Sequence, residues 1–326
     1  MLVRNNTFDI IKDKVSAIKS TENSYYIHNM FEVGYHRLTD ADNYSEYGLS
    51  CAGTRLGFPG SFLVQYRENH PDGAEKVLYD KYYDWFDTSI RRKNHDKRSS
   101  QALFIRDFEG MHYGVLTDKY AMFDDDEVVD ILSQNEYLMS SKEFWSDITP
   151  ERFHARFVDA EELYIPGDSS PLSLCTFVDN SMVGKSSFKI RFGIYRWACT
   201  NGMIAGLKEF EILKMMHKGD KDYVQCVSEA LENVEEYKKM LFEMVKEAAC
   251  TYSSIYNLTE DQALAYIQKK LNLSKKASVI ILENYRKYGN ETKWDLTNAI
   301  TDYAHVVDIS CEKVDICNSG CNRYYK

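Results

Sequence analysis

Cys199, Asn201 and Gly202 fall together in the stretch RWACTNGMIAG, residues 196–206, directly after the strand-like run SSFKIRFGIY. A thiol on a sharp strand-to-helix corner is exposed enough to act as a nucleophile. Asn201-Gly202 supplies such a corner, because both residues tolerate positive φ. Thiol chemistry also needs a base and a cause of pKa depression, and His217 is the histidine nearest in sequence. The structural alternative is a buried cysteine beneath a tight turn. Arg196, beside Trp197, could stack, bind an anion or pair with a carboxylate at the rim of the core. Arg191 and Arg196 are an odd number of residues apart, so they face opposite sides of a regular strand.

Other stretches compete for a chemical role. Arg91, Arg92, Lys93, Lys97 and Arg98 form the densest basic run of the chain, in RRKNHDKRSS. Such a run could contact several phosphates, and Tyr82, Tyr83, Trp85 and Phe86 just upstream could stack on unpaired bases. The alternative is a solvated loop after an amphipathic helix whose aromatics are core. Gly53, Gly57 and Gly60 in SCAGTRLGFPGSF lack dinucleotide spacing and a Gly-Lys-Ser/Thr ending, so they predict a turn entering a strand. The run Asp124-Asp125-Asp126-Glu127 could hold a divalent cation, but consecutive residues seldom converge on one ion, and a helix N-terminus explains it better. Cys311, Cys317 and Cys321 have no regular zinc spacing; with His305 they would make a set, and free thiols are the expected state. No metal and no cofactor is expected.

The elements that must position these residues change character along the chain. Up to residue 219, strand-like runs such as GSFLVQYRE, QALFIRDFE and HYGVLTDKY alternate with turns. SSPLSLCTFVDNSMVGKSSFKIRFGIYRWAC predicts two strands joined near Asp179-Asn180. Two helices interrupt, GAEKVLYDKYYDWFDTSIRR and DDDEVVDILSQN. From residue 220 the period is helical: Tyr223, Val227, Ala230, Val234, Tyr237, Leu241, Val245 and Ala248 share one face. Thr259 and Gln262 have capping-box spacing, Gly289 is a helix stop, and Trp294, Ile300, Tyr303, Ala304 and Val307 form a last stripe. The expected fold is α+β, with a mixed or antiparallel sheet body over residues 1–219 and a helical C-terminal region packed on it over residues 220–326.

Composition bounds the function. The 326 residues are 44% hydrophobic, with a formal net charge of −10, so the chain can build a large core but is not a general polyanion coat. That charge also suits docking on a basic protein surface. No apolar run is long enough for a membrane helix, MLVRNNTFDI lacks a signal-peptide core, and scattered cysteines suit a reducing compartment. A cytoplasmic protein is expected, with no membrane partner, and self-association stays open.

KIRFGIYRWACTNGMIAG followed by HKGD resembles the signature of a phage- and plasmid-associated family, domain of unknown function 932. The matching positions are Arg196, Cys199, Asn201, Gly202, Gly206, His217 and Gly219. HYGVLTDKYAMFDDDEVVDIL and TNAITDYAHVVD resemble flanking segments, so the likeness spans roughly residues 110–308. Many members carry His-Asp-Gly in the hairpin turn before the corner; Val178, Asp179 and Asn180 stand here, which argues against a histidine-dependent site. The resemblance implies a phage, prophage or plasmid setting among anti-restriction and recombination genes, and no reaction. Without a catalytic set, the expected function is non-enzymatic binding of single-stranded or processed nucleic acid in recombination or annealing. The alternative is a counter-defence protein that blocks a host nuclease, restriction or CRISPR component.

Overall fold

A computed structural model describes residues 3–5, 7–92, 102–197, 211–217 and 222–306. In chain order the elements begin with β1 (Val3–Asn5), α1 (Asp9–Lys19), β2 (Tyr25–Ile27), α2 (Met30–Tyr35), α3 (Glu46–Arg55), α4 (Gly60–Asn69) and α5 (Pro71–Arg92). There follow β3 (Leu103–Phe108), β4 (Met111–Thr117), α6 (Asp125–Ser133), α7 (Glu136–Met139), β5 (Glu143–Thr149), β6 (Arg152–Val158), β7 (Leu172–Asn180), β8 (Phe188–Arg196) and β9 (Glu211–Met215). The last are α8 (Tyr223–Glu232), α9 (Val234–Cys250), α10 (Glu260–Leu271), α11 (Lys275–Tyr288) and α12 (Lys293–Val306).

The fold is α+β. A six-stranded sheet has the order β1-β5-β6-β7-β8-β9, and a three-stranded sheet the order β2-β3-β4. The named strand pairs are antiparallel. Strand alternation sorts the large sheet into two faces. Phe153, Ala155 and Phe157 of β6, Leu174 and Val178 of β7, and Phe188, Ile190, Phe192 and Ile194 of β8 enter one core, closed by residues of α1, α6, α8 and α9. Their neighbours in sequence, among them Val158, Cys175, Phe177 and Tyr195, form a separate cluster on the opposite face. The predicted turn at Asp179-Asn180 is displaced: both residues end β7, and residues 181–187 make the connection.

A second core joins α2, α3, α4 and α5 to the three-stranded sheet. Here GSFLVQYRE is a helix, not the strand its Phe, Val and Tyr content predicts. Gly53, Gly57 and Gly60 accordingly lie at a helix–helix junction, not at a turn entering a strand. Backbone proximity decides the outcome. A Cβ on Gly60 would lie 1.9 Å from the Ser50 carbonyl oxygen, and one on Gly48 would lie 2.0 Å from that of His112. α3 therefore sits against both α4 and β4 with no room for a methyl group. Gly48→Ala is expected to destabilise the chain by about 1–3 kcal/mol, through overpacking against rigid backbone. A thermal melt unchanged from wild type would contradict this packing.

The C-terminal helices follow their local signals. Asn233 breaks the single apolar stripe from Tyr223 to Ala248 into α8 and α9. Thr259 and Gln262 close a capping box, and Gly289 ends α11 at φ 83°. Trp294 is buried in the core of the large sheet, whereas Tyr303 packs half-buried against the core formed by α10, α11 and α12.

Candidate functional site

The densest buried polar group lies where β3 meets the N-terminus of α6. Asp124 caps α6, its amide donating to Glu127 at 2.9 Å. The fully buried Arg106 of β3 bridges Glu22 at 2.9 Å and Asp124 at 3.0 Å, while Lys19 of α1 reaches Glu22 at 2.7 Å and Asp124 at 2.6 Å. Asp125 is buried beside them and accepts the Asn180 amide at 2.8 Å. Burial pushes the Asp125 carboxyl up to about 7. His217, just past β9, is buried and stacks on Tyr120 with centroids 5.1 Å apart. Burial lowers its pKa, against the opposing pull of the Asp124 charge. Arg106 Nε, Asp125 Oδ2, Asn180 Oδ1 and both His217 ring nitrogens have no hydrogen-bond partner among the described residues.

The second buried cluster lies on the other face of the large sheet. His154 of β6 stands in register with Asp179 of β7, Nδ1 to Oδ1 at 2.6 Å. Arg156 Nε donates to His154 Nε2 at 3.1 Å, so Nε2 is the acceptor and Nδ1 the donor to Asp179. Arg191 donates to the other Asp179 oxygen at 2.6 Å. Burial alone would raise the Asp179 carboxyl; His154 and Arg191 hold it far below the usual carboxylate range. The histidine beside Asp179 thus comes from the neighbouring strand, while Val178 stands where many family members are expected to carry one. Each partner of His154 is already engaged, which makes the cluster a structural brace.

Arg196 takes the carboxylate-pairing role. It donates to Asp168 through Nε at 2.7 Å and Nη2 at 2.9 Å, and Trp294 Nε1 donates to the same carboxylate at 2.9 Å. Burial opposes ionisation of Asp168, and the Arg196, Ser170 and Trp294 donors outweigh it, so its pKa is lowered. As parity predicts, Arg191 and Arg196 occupy opposite faces. Arg196 and His217 do not share a site. Arg196 ends the nine-residue β8, whereas Met215, two residues before His217, pairs with Phe188 at its start. Eight steps of about 3.3 Å put roughly 26 Å between the two ends. Cys199, Asn201 and Gly202 lie outside the described residues, as do Gly206, Gly219, Lys93, Lys97 and Arg98.

Arg91 and Arg92 end α5, and their side chains are outside the described set. Of the aromatics upstream, Tyr82 and Phe86 are core and Trp85 packs against it. Tyr83 is 52% exposed, and Tyr79, one turn earlier, is 53% exposed. Tyr26, Phe31, Tyr35 and Phe62 are exposed on the same N-terminal unit. Sequence reasoning missed Tyr79, although its spacing of four from Tyr83 was the signal. A groove of about 610 Å³ between α3, α4 and the sheet turns has a charged floor that is paired internally, Lys185 to Glu151 at 2.9 Å. Among the described residues no group of three or more His, Cys, Asp or Glu side chains is arranged for a metal ion, and no helix is long and apolar enough to cross a membrane.

Compared with known families, residues 112–314, more than half of the chain, match a domain of unknown function (DUF932). No curated protein and no solved structure matches the chain.

Proposed function

The chain belongs to the DUF932 family, and from that premise we propose that it is a non-enzymatic protein of phage or mobile-element DNA metabolism that binds single-stranded nucleic acid. The binding surface in this reading is the helical unit that precedes the matched span. One observation carries it: exposed aromatics gather on residues 26–83, and the helix bearing Tyr79 and Tyr83 runs into the basic stretch 91–98. Unpaired bases stack on such rings whatever their sequence. Asp80, Asp84 and Asp87 share α5 with the tyrosines, so electrostatic attraction must come from the basic run that starts with the last two residues of the helix. The role fits an accessory to recombination or annealing in the host cytoplasm.

The test is a titration of the full chain with a fluorescent single-stranded oligonucleotide and its duplex. Single strands should bind more tightly. Neutralising about three to five phosphates should make log K fall with log salt at a slope near −0.7 per phosphate. Absence of binding at about 50 mM salt would end this reading. The second reading, a counter-defence protein that binds a host nuclease or restriction component, is favoured by the net charge of −10 together with the same aromatics. It requires a stoichiometric protein partner that survives nuclease treatment during affinity purification.

A further inference from the structure

We propose that the contact between β3 and α6 is a proton-operated joint, with the Asp125 carboxyl as its switch and Arg106 as the group that moves. The charges on both sides of the joint already balance without Asp125. Lys19 and Arg106 are shared between Glu22 and Asp124, with all four contacts at 3.0 Å or less. Asp125 Oδ1 takes the Asn180 amide, and Oδ2 has no donor among the described residues. The other groups facing it do not supply a positive charge. Asp124 and Asp126, its neighbours in the chain, add negative charge; Tyr120, from the preceding loop, and His217, just past β9 and within reach of the Asp124 charge, are neutral at neutral pH. An ionised Asp125 would therefore be an uncompensated buried charge.

One unclaimed donor lies on the same guanidinium that holds the neighbouring Asp124 at 3.0 Å: Arg106 Nε is buried without a partner among the described residues. When Asp125 loses its proton, Arg106 is drawn toward it and away from Glu22 and Asp124. Those are the pairs that tie β3 to the end of α1 and to α6. The joint is tight while Asp125 is protonated and looser once it ionises, a local charge change that biases a packed contact between two arrangements.

The sign follows from linkage. The folded-state value, about 7, lies above the ordinary 3.8, so stability falls as pH rises between those values and levels off above the higher one. Thermal melts of wild type and Asp125→Asn across this range should diverge from about pH 4 and stop diverging once pH passes about 7. In the plateau the folded-to-unfolded ratio of the variant should exceed that of wild type by on the order of a thousand-fold, ten for each unit between the two values. Hydrogen exchange, corrected for intrinsic rate, should show β3 and α6 amides losing protection near neutral pH in wild type only. Parallel melting profiles, or equal loss of protection in both proteins, would overturn the proposal. If the variant does not fold, carbon-13 NMR of the wild-type carboxyl decides: a midpoint near 7 supports the switch, and an ordinary carboxylate midpoint rules it out.

Discussion

Asp168→Ala is expected to destabilise the chain by about 3 kcal/mol or more, the range for removing one member of a buried ion pair. The Asp168 side chain is 4% exposed and that of Arg196 11%, so solvent cannot replace the lost carboxylate. Arg196 would lose a bidentate counter-charge, and the buried Trp294 indole its acceptor. This carboxylate links the end of β8 to the first turn of α12, so the damage should reach the C-terminal helices. Hydrogen exchange should show α12 opening first, with the three-stranded sheet still protected. Asp168→Asn, which keeps an acceptor but removes the charge, should fall between the two. Wild-type melting of Asp168→Ala would mean that Arg196 is not a clamp, and a ligand role for that family-motif arginine would return.

Joint replacement of Tyr79 and Tyr83 by alanine should weaken single-strand binding by about 2–6 kcal/mol, at roughly 1–3 kcal/mol per stacked base. Both rings are half-exposed on one face of α5, while the neighbouring Tyr82 is fully buried. The double variant should therefore fold normally and keep its salt slope, since phosphate contacts are untouched. Replacing Arg91, Arg92 and Arg98 should do the opposite, flattening the slope, with the loss greatest at low salt and shrinking as salt rises. If the tyrosine variant binds as wild type does, the aromatics serve another partner.

Features set by neighbours in sequence were legible before the structure. The Thr259–Gln262 capping box, the Gly289 stop and the acidic start of α6 each rest on a few consecutive residues. α4 was not, because GSFLVQY has strand-like composition and its helical state depends on Gly60 meeting the backbone of Ser50. The buried joint was hidden for the same reason. Asp125 reads as one member of an acidic helix N-terminus until Asn180, 55 residues away, donates to it in the buried interior. His154–Asp179 required the β6–β7 register, which no local pattern specifies. Arg196 and His217 look like one motif in sequence, yet the antiparallel return of β9 carries them to opposite ends of β8.

Ultraviolet cross-linking of the full chain to a single-stranded oligonucleotide, with the linked peptides mapped by mass spectrometry, tests the proposed binding surface directly. Cross-links should fall on the α5 peptide that carries Tyr79 and Tyr83 and on the basic run at residues 91–98. Cross-links confined to residues 112–314, or none under conditions where a known single-strand binder is labelled, would contradict it.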